Sequence, residues 1–185
     1  MPERIRGAVV LARDAKLNAV TAARYLDLLE ASFLIRRLPP FLKNRSLRLV
    51  KSPKLHFTDS GLAAQFAGIT SLEPGRDDML RGALFETHVA QNIAGLLEAH
   101  VPEAHMGYWH EQGRHEVDFV IEVGRKVFAI EVKAATRWSA NNLSGLRAFL
   151  ERTPACVAAV LAYNGKEAVD LGERLFAIPL GQLLT

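Results

Sequence analysis

The 185-residue chain has a single cysteine, Cys156, and therefore cannot form a disulfide bond within itself. This excludes the disulfide framework of small secreted domains, and a lone thiol in an apolar run fits a reducing compartment. No apolar run approaches the roughly 20 residues of a membrane-spanning helix. The N-terminus also lacks the apolar segment of a signal peptide. We therefore expect a cytoplasmic protein with no membrane partner.

Acidic residues are absent from one long segment, residues 31–58. Its charged side chains are all basic, and they are Arg36, Arg37, Lys43, Arg45, Arg48, Lys51 and Lys54. A positive stripe of this kind suits the phosphate backbone of nucleic acid. Aromatic residues are not interleaved with it, so stacking on single strands is not indicated. The segment is predicted to bind nucleic acid, with DNA as the expected partner; a solvated basic loop on a protein-binding surface is the alternative.

The remaining composition is that of a globular chain, with 49% hydrophobic and 23% charged residues, enough apolar surface for a packed core. Residues 68–78 combine glycine, proline and paired acids, which indicates a connector. Before it, a helix, a strand, a basic loop and a second strand describe the latter half of a winged helix, so residues 1–67 are predicted to form a partial winged-helix domain. After it, residues 79–185 are predicted to form a second domain with the order helix, three strands, helix, strand.

A hairpin is predicted at residues 117–133, which read VDFVIEVGRKVFAIEVK. Two strand-forming runs flank a Gly-Arg pair, and if that pair forms the loop, Val123 pairs with Lys126. Side chains alternate between the two faces of a strand. On the first strand the alternation predicts one apolar face, formed by Val117, Phe119, Ile121 and Val123.

The same register places two carboxylates, Asp118 and Glu131, directly opposite each other, with Lys133 beside Glu131. Like charges across a ladder repel, and a divalent cation such as Mg²⁺ or Mn²⁺ between hard oxygen ligands would remove that repulsion. The alternative is the solvated face of an amphipathic hairpin. The second strand is apolar and small on both faces, which predicts an interior strand, where charges need partners or a metal.

Glu86 lies on or beside the apolar stripe of the helix predicted from about residue 79 to residue 99. It either faces the hairpin or is a residue at the edge of the stripe with its carboxylate in water. Three histidines at positions 105, 110 and 115 alternate between strand faces, a spacing that suits no tetrahedral zinc site.

The element order from residue 79 resembles that of the PD-(D/E)XK nuclease superfamily. Glu86 lies on the first helix, Asp118 on the second strand, and the triplet Glu131-Val132-Lys133 on the third. The resemblance implies the α/β class and a restriction-endonuclease-like αβββαβ core, in which a mixed central sheet is flanked by helices. It also implies that Asp118, Glu131 and Glu86 are metal ligands and that Lys133 orients the attacking water. All four would then be catalytic residues of Mg²⁺- or Mn²⁺-dependent phosphodiester cleavage.

Five segments resemble the C-terminal region of a large family of predicted prokaryotic ATPases of the AAA type; they read RYLDLLEASFLIRRLPPF, RLVKSPKLHFTDSGLA, FETHVAQNI, EVDFVIE and IEVKAA. In that family an ATPase domain precedes a winged helix and a C-terminal domain of unknown function. This chain contains no G-x-x-x-x-G-K-[ST] loop, so no nucleotide site is expected in it. The implied function is that of a metal-dependent, nuclease-like module normally attached to an AAA-type ATPase. The alternative is a non-catalytic DNA-binding or regulatory module with an inactive nuclease fold.

Overall fold

The computed structural model describes residues 15–42, 53–71, 78–111 and 115–184. Its helices are α1 (Ala19–Ala31), α2 (Ser60–Phe66), α3 (Asp78–His100), α4 (Ser144–Arg152, preceded by a 3₁₀ turn at Ala140–Leu143) and α5 (Leu180–Leu183). Its strands are β1 (Ile35–Leu38), β2 (Lys54–Phe57), β3 (His105–Glu111), β4 (His115–Val123), β5 (Lys126–Lys133), β6 (Cys156–Tyr163), β7 (Val169–Asp170) and β8 (Leu175–Pro179). Within these ranges no helix has the length and apolar character needed to cross a membrane.

The larger of two sheets has six strands in the order β3-β4-β5-β6-β8-β7. Strands β3, β4 and β5 are antiparallel, β5, β6 and β8 are parallel, and β7 runs antiparallel to β8. The predicted α/β class with a mixed sheet is therefore confirmed, and the chain follows the predicted order of helix, three strands, helix and strand from α3 to β6. Strand β5 lies between β4 and β6, as expected of an interior strand.

Two apolar cores lie on the two faces of this sheet. The core beneath α4 contains Phe149 from the helix and Val120 from β4, both almost fully buried. The core beneath α3 contains Val89 from the helix and Phe119 from β4. Neighbouring residues of one strand thus serve opposite cores, which places the sheet between two helical layers.

The β4–β5 hairpin has the predicted turn. Val123 pairs with Lys126, and the register continues to Phe119 opposite Ile130. Gly124 adopts a left-handed φ of 59° in the two-residue loop. Glycine accepts this conformation without steric cost, which is why the Gly-Arg pair identifies the loop from sequence.

The predicted apolar face of β4 is wrong at Val117. Val117 packs with Val120 beneath α4, whereas Phe119 packs beneath α3. The pairing with β3 steps from Gly107 opposite Val120 to Trp109 opposite Val117, so β4 has one extra residue between these pairs. A bulge of this kind shifts the alternation of side chains, and it lies at the position of Asp118.

The described part of the predicted winged-helix domain is a helix, a hairpin and a second helix. Strands β1 and β2 form a separate antiparallel sheet. Helix α1 begins after Asn18, whose side chain accepts a hydrogen bond from the Thr21 N–H at 2.8 Å. Helix α2 begins after Asp59, which accepts from the Leu62 N–H at 2.6 Å. Both are favourable N-cap residues because their side chains satisfy amide groups that the first turn leaves unpaired.

This hairpin packs directly on the large sheet and on α3. Leu38 at the end of β1 is 1% exposed and belongs to the core beneath α3. The Pro39 carbonyl accepts a hydrogen bond from the Tyr108 N–H of β3 at 3.0 Å. Phe41 meets Phe149 edge-on, with ring centroids 5.5 Å apart. These contacts hold β2 close to the start of α3 and to β4.

Candidate active site

Four elements bring ionisable side chains together at the end of the β4–β5 hairpin remote from its turn. We call the group the acidic cluster, and its carboxylates are Glu86 on α3, Glu116 and Asp118 on β4, and Glu131 on β5. Two ammonium groups belong to it, those of Lys54 on β2 and Lys133 on β5. Four carboxylates against two ammonium groups leave the cluster with an excess of negative charge.

Asp118 is buried at the irregularity of β4, one residue beyond the last paired position of the hairpin. Its Oδ2 accepts a hydrogen bond from the Val132 N–H at 2.9 Å, so the side chain takes a backbone donor of β5. Burial and then the charge of Glu86 raise the pKa of Asp118, while Lys54 and the Val132 N–H partly oppose that rise. The carboxylate therefore lies where negative charge is electrostatically unfavourable.

Glu131 shares this unfavourable setting. Its Oε1 accepts a hydrogen bond from Lys133 Nζ at 2.7 Å. Its Oε2 is buried and has no hydrogen-bond partner among the described residues. Burial, followed by the charge of Asp118, raises the pKa of Glu131 to about 7, with Lys133 opposing the rise. This buried Oε2 is thus an acceptor that no donor of the described residues satisfies.

The Lys54 ammonium lies among the other three carboxylates of the cluster. Its Nζ is 3.2 Å from Glu86 Oε1 and 3.4 Å from Asp118 Oδ1, and it forms a closer ion pair with Glu116. It also lies 5.5 Å from the centroid of the Tyr108 ring. Burial disfavours the charged ammonium, but the carboxylates outweigh burial and raise the pKa of Lys54 above its usual range. Lys54 is therefore a permanent cation at neutral pH.

Glu86 faces the cluster rather than open water, since its side chain is only 25% exposed. Its Oε1 lies 3.7 Å from the Nε2 of His56 on β2, beyond hydrogen-bonding distance. His56 is 8% exposed, and its Nε2 has no hydrogen-bond partner among the described residues. Burial and then the charge of Lys54 lower the pKa of His56 to about 4. The ring is neutral at pH 7 and directs an unpaired nitrogen towards the cluster.

The donor chemistry of the cluster fits a hard divalent cation. Carboxylate oxygens are the ligands that Mg²⁺ and Mn²⁺ prefer, and the unpaired Oε2 of Glu131 is an oxygen of that kind. In the described part of the chain, however, no group of three or more histidine, cysteine, aspartate or glutamate side chains is arranged to hold a metal ion. The cation that lies between Glu86 and Asp118 is the Lys54 ammonium.

The four predicted catalytic residues, Glu86, Asp118, Glu131 and Lys133, thus come together in one cluster. Sequence reasoning missed Glu116 and assigned Lys54 to the basic stripe. A signal for Glu116 was present, because it lies two residues before Asp118 on the same strand. No local signal identifies Lys54, which is 32 residues from Glu86 and 64 from Asp118.

Three of the seven predicted nucleic-acid-binding residues lie in the described ranges, and each has an acidic partner. Arg36 pairs with Glu98 at 2.6 Å, Arg37 pairs with Asp27 at 2.7 Å, and Lys54 lies in the acidic cluster. The other four lie outside the described residues, and they are Lys43, Arg45, Arg48 and Lys51. Acidic partners therefore partly neutralise Arg36, Arg37 and Lys54, and these three residues do not form an open basic surface.

Comparison with known families gives two matches along the chain. The family described as "Domain of unknown function (DUF4143)" matches residues 81–183, which carry α3, the large sheet and most of the acidic cluster. The family described as "Domain of unknown function (DUF8612)" matches residues 8–73, which include both strands of the smaller sheet. Lys54 and His56 therefore lie in the second matched region, and their carboxylate partners lie in the first.

Two curated relatives are similar over nearly the whole chain. They are the uncharacterized protein Mb2031c of Mycobacterium bovis and the uncharacterized protein Rv2008c of Mycobacterium tuberculosis. Each is 30% identical over 175 residues, which cover 95% of this chain and 38% of the relative. The chain therefore spans well under half the length of these relatives.

Among solved structures, one match is to part of a larger assembly. It is a refined half-complex from a tetradecameric assembly of Thermococcus gammatolerans McrB AAA+ hexamers with bound McrC. The match has a TM-score of 0.39 and 16% identity and covers 74% of this chain and 41% of that one. This TM-score is too low to establish a shared fold.

Proposed function

This chain belongs to the family described as "Domain of unknown function (DUF4143)", and we propose that it is a metal-dependent, nuclease-like module that binds nucleic acid and cleaves phosphodiester bonds. DNA is the substrate we propose. The observation that carries the proposal is the convergence of Asp118, Glu131 and Lys133 at the end of a hairpin, with Glu86 brought in from α3. The finer fold that we propose for residues 79–185 is the restriction-endonuclease-like core.

The carboxylates support this proposal because their charges are poorly compensated by the protein. Burial and the neighbouring carboxylates disfavour the ionised forms of Asp118 and Glu131. Perturbed pKa values of this kind cluster at functional sites. In the proposed site, Asp118 and Glu131 hold Mg²⁺ or Mn²⁺, with Glu86 as a further ligand. A bound ion of this kind lowers the pKa of water and stabilises charge on a phosphoryl group.

Lys133 has a separate role in the proposed site. Its Nζ donates to Glu131 Oε1. Burial disfavours the charged ammonium, but the hydrogen bond and the charge of Glu131 outweigh burial and raise the pKa of Lys133. The ammonium is therefore a fixed positive charge beside a carboxylate, with about a third of the side chain exposed. We propose that it orients the attacking water and stabilises negative charge as the phosphate is attacked.

The rest of the chain suggests how substrate reaches the site. We propose that residues 1–67 form a partial winged helix and that Lys43, Arg45, Arg48 and Lys51 supply sequence-independent affinity for phosphates. We also propose that an AAA-type ATPase domain is attached in longer relatives, on the strength of the resemblance of five segments to that family. The relatives are long enough to contain one, because the matched region is 38% of their length.

A second candidate function is favoured by one observation. The Lys54 ammonium already compensates Glu86, Glu116 and Asp118, so the cluster holds a cation without any metal. In a non-catalytic DNA-binding or regulatory module, this ion-pair network would simply join the β1–β2 hairpin to the large sheet. The two candidates differ in whether the acidic cluster catalyses the cleavage of a phosphodiester bond.

A cleavage assay separates them. Protein treated with EDTA and then given Mg²⁺ or Mn²⁺ is incubated with single-stranded DNA, double-stranded DNA and RNA. We expect cleavage that requires the metal and that Asp118→Asn or Glu131→Gln abolishes, whereas Glu103→Gln, in an exposed loop, leaves it unchanged. Lys133→Ala should reduce the rate while metal affinity is largely kept. Cleavage that persists in either carboxylate variant, or no metal-dependent cleavage of any substrate, would favour the non-catalytic candidate.

A further inference from the structure

We propose that Lys54 is the resident cation of the acidic cluster and that its ammonium occupies the place a divalent metal ion would take between Glu86 and Asp118. The inference rests on the proposed function in one respect, that the same carboxylates are the metal ligands. It adds a residue from the β1–β2 hairpin that decides whether a metal can bind. Lys54 is thus a competitor of the metal ion at the site and not one of its ligands.

The contacts of Lys54 resemble those of a bound cation more than those of an ordinary surface ion pair. Three carboxylates from two different elements, α3 and β4, surround a single Nζ. The ammonium reaches them across the interface between the two matched regions of the chain. Its side chain is 24% exposed and that of Asp118 is 11% exposed, so solvent screens this pair less than a surface pair.

A second observation points to a ligand that can bind more donor atoms than an ammonium group can. The Nε2 of His56 is unpaired, in a side chain that is more than nine-tenths buried, and lies 3.7 Å from Glu86 Oε1. Lys54 offers only donors, and its Nζ lies against three carboxylates and the Tyr108 ring. A divalent cation accepts imidazole nitrogen as well as carboxylate oxygen, and Mn²⁺ tolerates both. The cluster therefore holds more ligand atoms than Lys54 satisfies.

Exchange between the two cations does not require the hairpin to unfold. Lys54 is the first residue of β2, its side chain is long and partly exposed, and rotation of that side chain carries the ammonium into solvent. Electrostatic repulsion prevents the ammonium and a divalent cation from occupying the same place. Lys54 therefore competes with the metal, and removal of its charge increases metal affinity.

The test is a metal titration that needs no substrate. EDTA-treated wild type, Lys54→Met, Lys54→Arg and the control Lys126→Met are titrated with Mn²⁺ by calorimetry, and the melting temperature is measured alongside. Lys126 is exposed at the start of β5, at the far end of the hairpin. We expect Lys54→Met to bind Mn²⁺ at least tenfold more tightly than wild type. A metal present at roughly one hundred times its dissociation constant should then raise the melting temperature of that variant by about 5 °C or more.

Lys54→Arg keeps the positive charge and should behave like wild type, as should Lys126→Met. If Lys54→Met binds Mn²⁺ no more tightly than wild type, Lys54 does not occupy a metal position and the inference fails. Should that variant not fold, Lys54→Met combined with Glu116→Gln removes one charge of each sign and is compared with Glu116→Gln alone. The same tenfold gain is expected there, and its absence overturns the inference. Cleavage is not read in this experiment, so its failure leaves the proposed nuclease function to its own test.

Discussion

Gly145, the second residue of α4, fixes the distance between that helix and the strand that carries Glu116 and Asp118. A Cβ atom at this position would lie 2.1 Å from the Glu116 carbonyl oxygen and 3.2 Å from its carbonyl carbon. Both atoms belong to the backbone, so neither can rotate away. Strand β4 can therefore pack this close to α4 only because residue 145 has no side chain. This packing holds Glu116 and Asp118 at the acidic cluster.

We predict that Gly145→Ala destabilises the protein by about 3 kcal/mol, because overpacking against backbone forces the helix away from the sheet. The expected fall in melting temperature is roughly 6 to 12 °C. Gly95→Ala is the matched control, since Gly95 lies inside α3 with nothing within 4 Å of the added Cβ. That change should stabilise by about 0.5 to 1 kcal/mol, because alanine favours a helix interior. Equal melting temperatures for the two variants would contradict the close approach.

The residues of the site differ in whether neighbouring residues in the sequence are enough to predict their position. Asp118, Glu131 and Lys133 were predictable from sequence because a two-residue loop sets the register of one hairpin. Lys54 reaches the same cluster only through the packing of β2 on α3 and β4. Local alternation carries no information about a contact of that sequence separation, and a lysine in a basic segment is indistinguishable from its neighbours.

At the scale of elements, the sequence identifies the strands that carry an apolar pattern and misses strand β7 and the bulge in β4. Strand β6 is a continuous apolar run in the sequence, which reads CVAAVLAY. Strand β7 has only two residues, Val169–Asp170, and both are exposed, so it leaves no pattern. The bulge in β4 is also invisible, because it arises from the pairing with β3 around Gly107 and not from β4 alone.

The basic segment between β1 and β2 carries the prediction at this scale. Charge reversal at both Arg45 and Arg48 should weaken nucleic-acid binding at low salt, because each lost phosphate contact returns condensed counterions to the nucleic acid. We expect the slope of log affinity against log salt concentration to fall in magnitude by roughly two. The melting temperature should change little, since solvated charges contribute little to stability.

Charge reversal at Arg125 and Lys126 is the control for that experiment. It produces the same change in net charge in the exposed turn of the β4–β5 hairpin. Binding is measured by fluorescence anisotropy with a labelled duplex over a range of salt concentrations. Equal effects of the two double variants would mean that net charge, and not the segment, governs binding.

At the scale of the whole molecule, the sequence gives the order of elements but not how its two parts meet. A connector at residues 68–78 suggests two independent domains. In the structure, the β1–β2 hairpin contributes Leu38 to the core beneath α3. The Pro39 carbonyl also accepts a hydrogen bond from the backbone of β3. Gly107 makes this possible, because a Cβ there would lie 2.7 Å from the Pro39 carbonyl oxygen. Such contacts between distant segments depend on shape, which periodicity does not encode.

This packing predicts that both matched regions unfold together. Leu38→Ala should lower the melting temperature of a single transition by roughly 6 to 12 °C, since truncating a buried leucine costs about 3 kcal/mol and leaves a cavity. Leu28→Ala, at a position on α1 that is 61% exposed, should change it by no more than about 2 °C.

Tryptophan fluorescence reports on Trp109 and Trp138 in the α/β part, and far-ultraviolet circular dichroism reports on every helix. Their curves should coincide for wild type and for both variants. Two separated transitions, with only the earlier one shifted by Leu38→Ala, would mean that the hairpin is an independent unit, and Lys54 would then be free to leave the acidic cluster without cost to the large sheet.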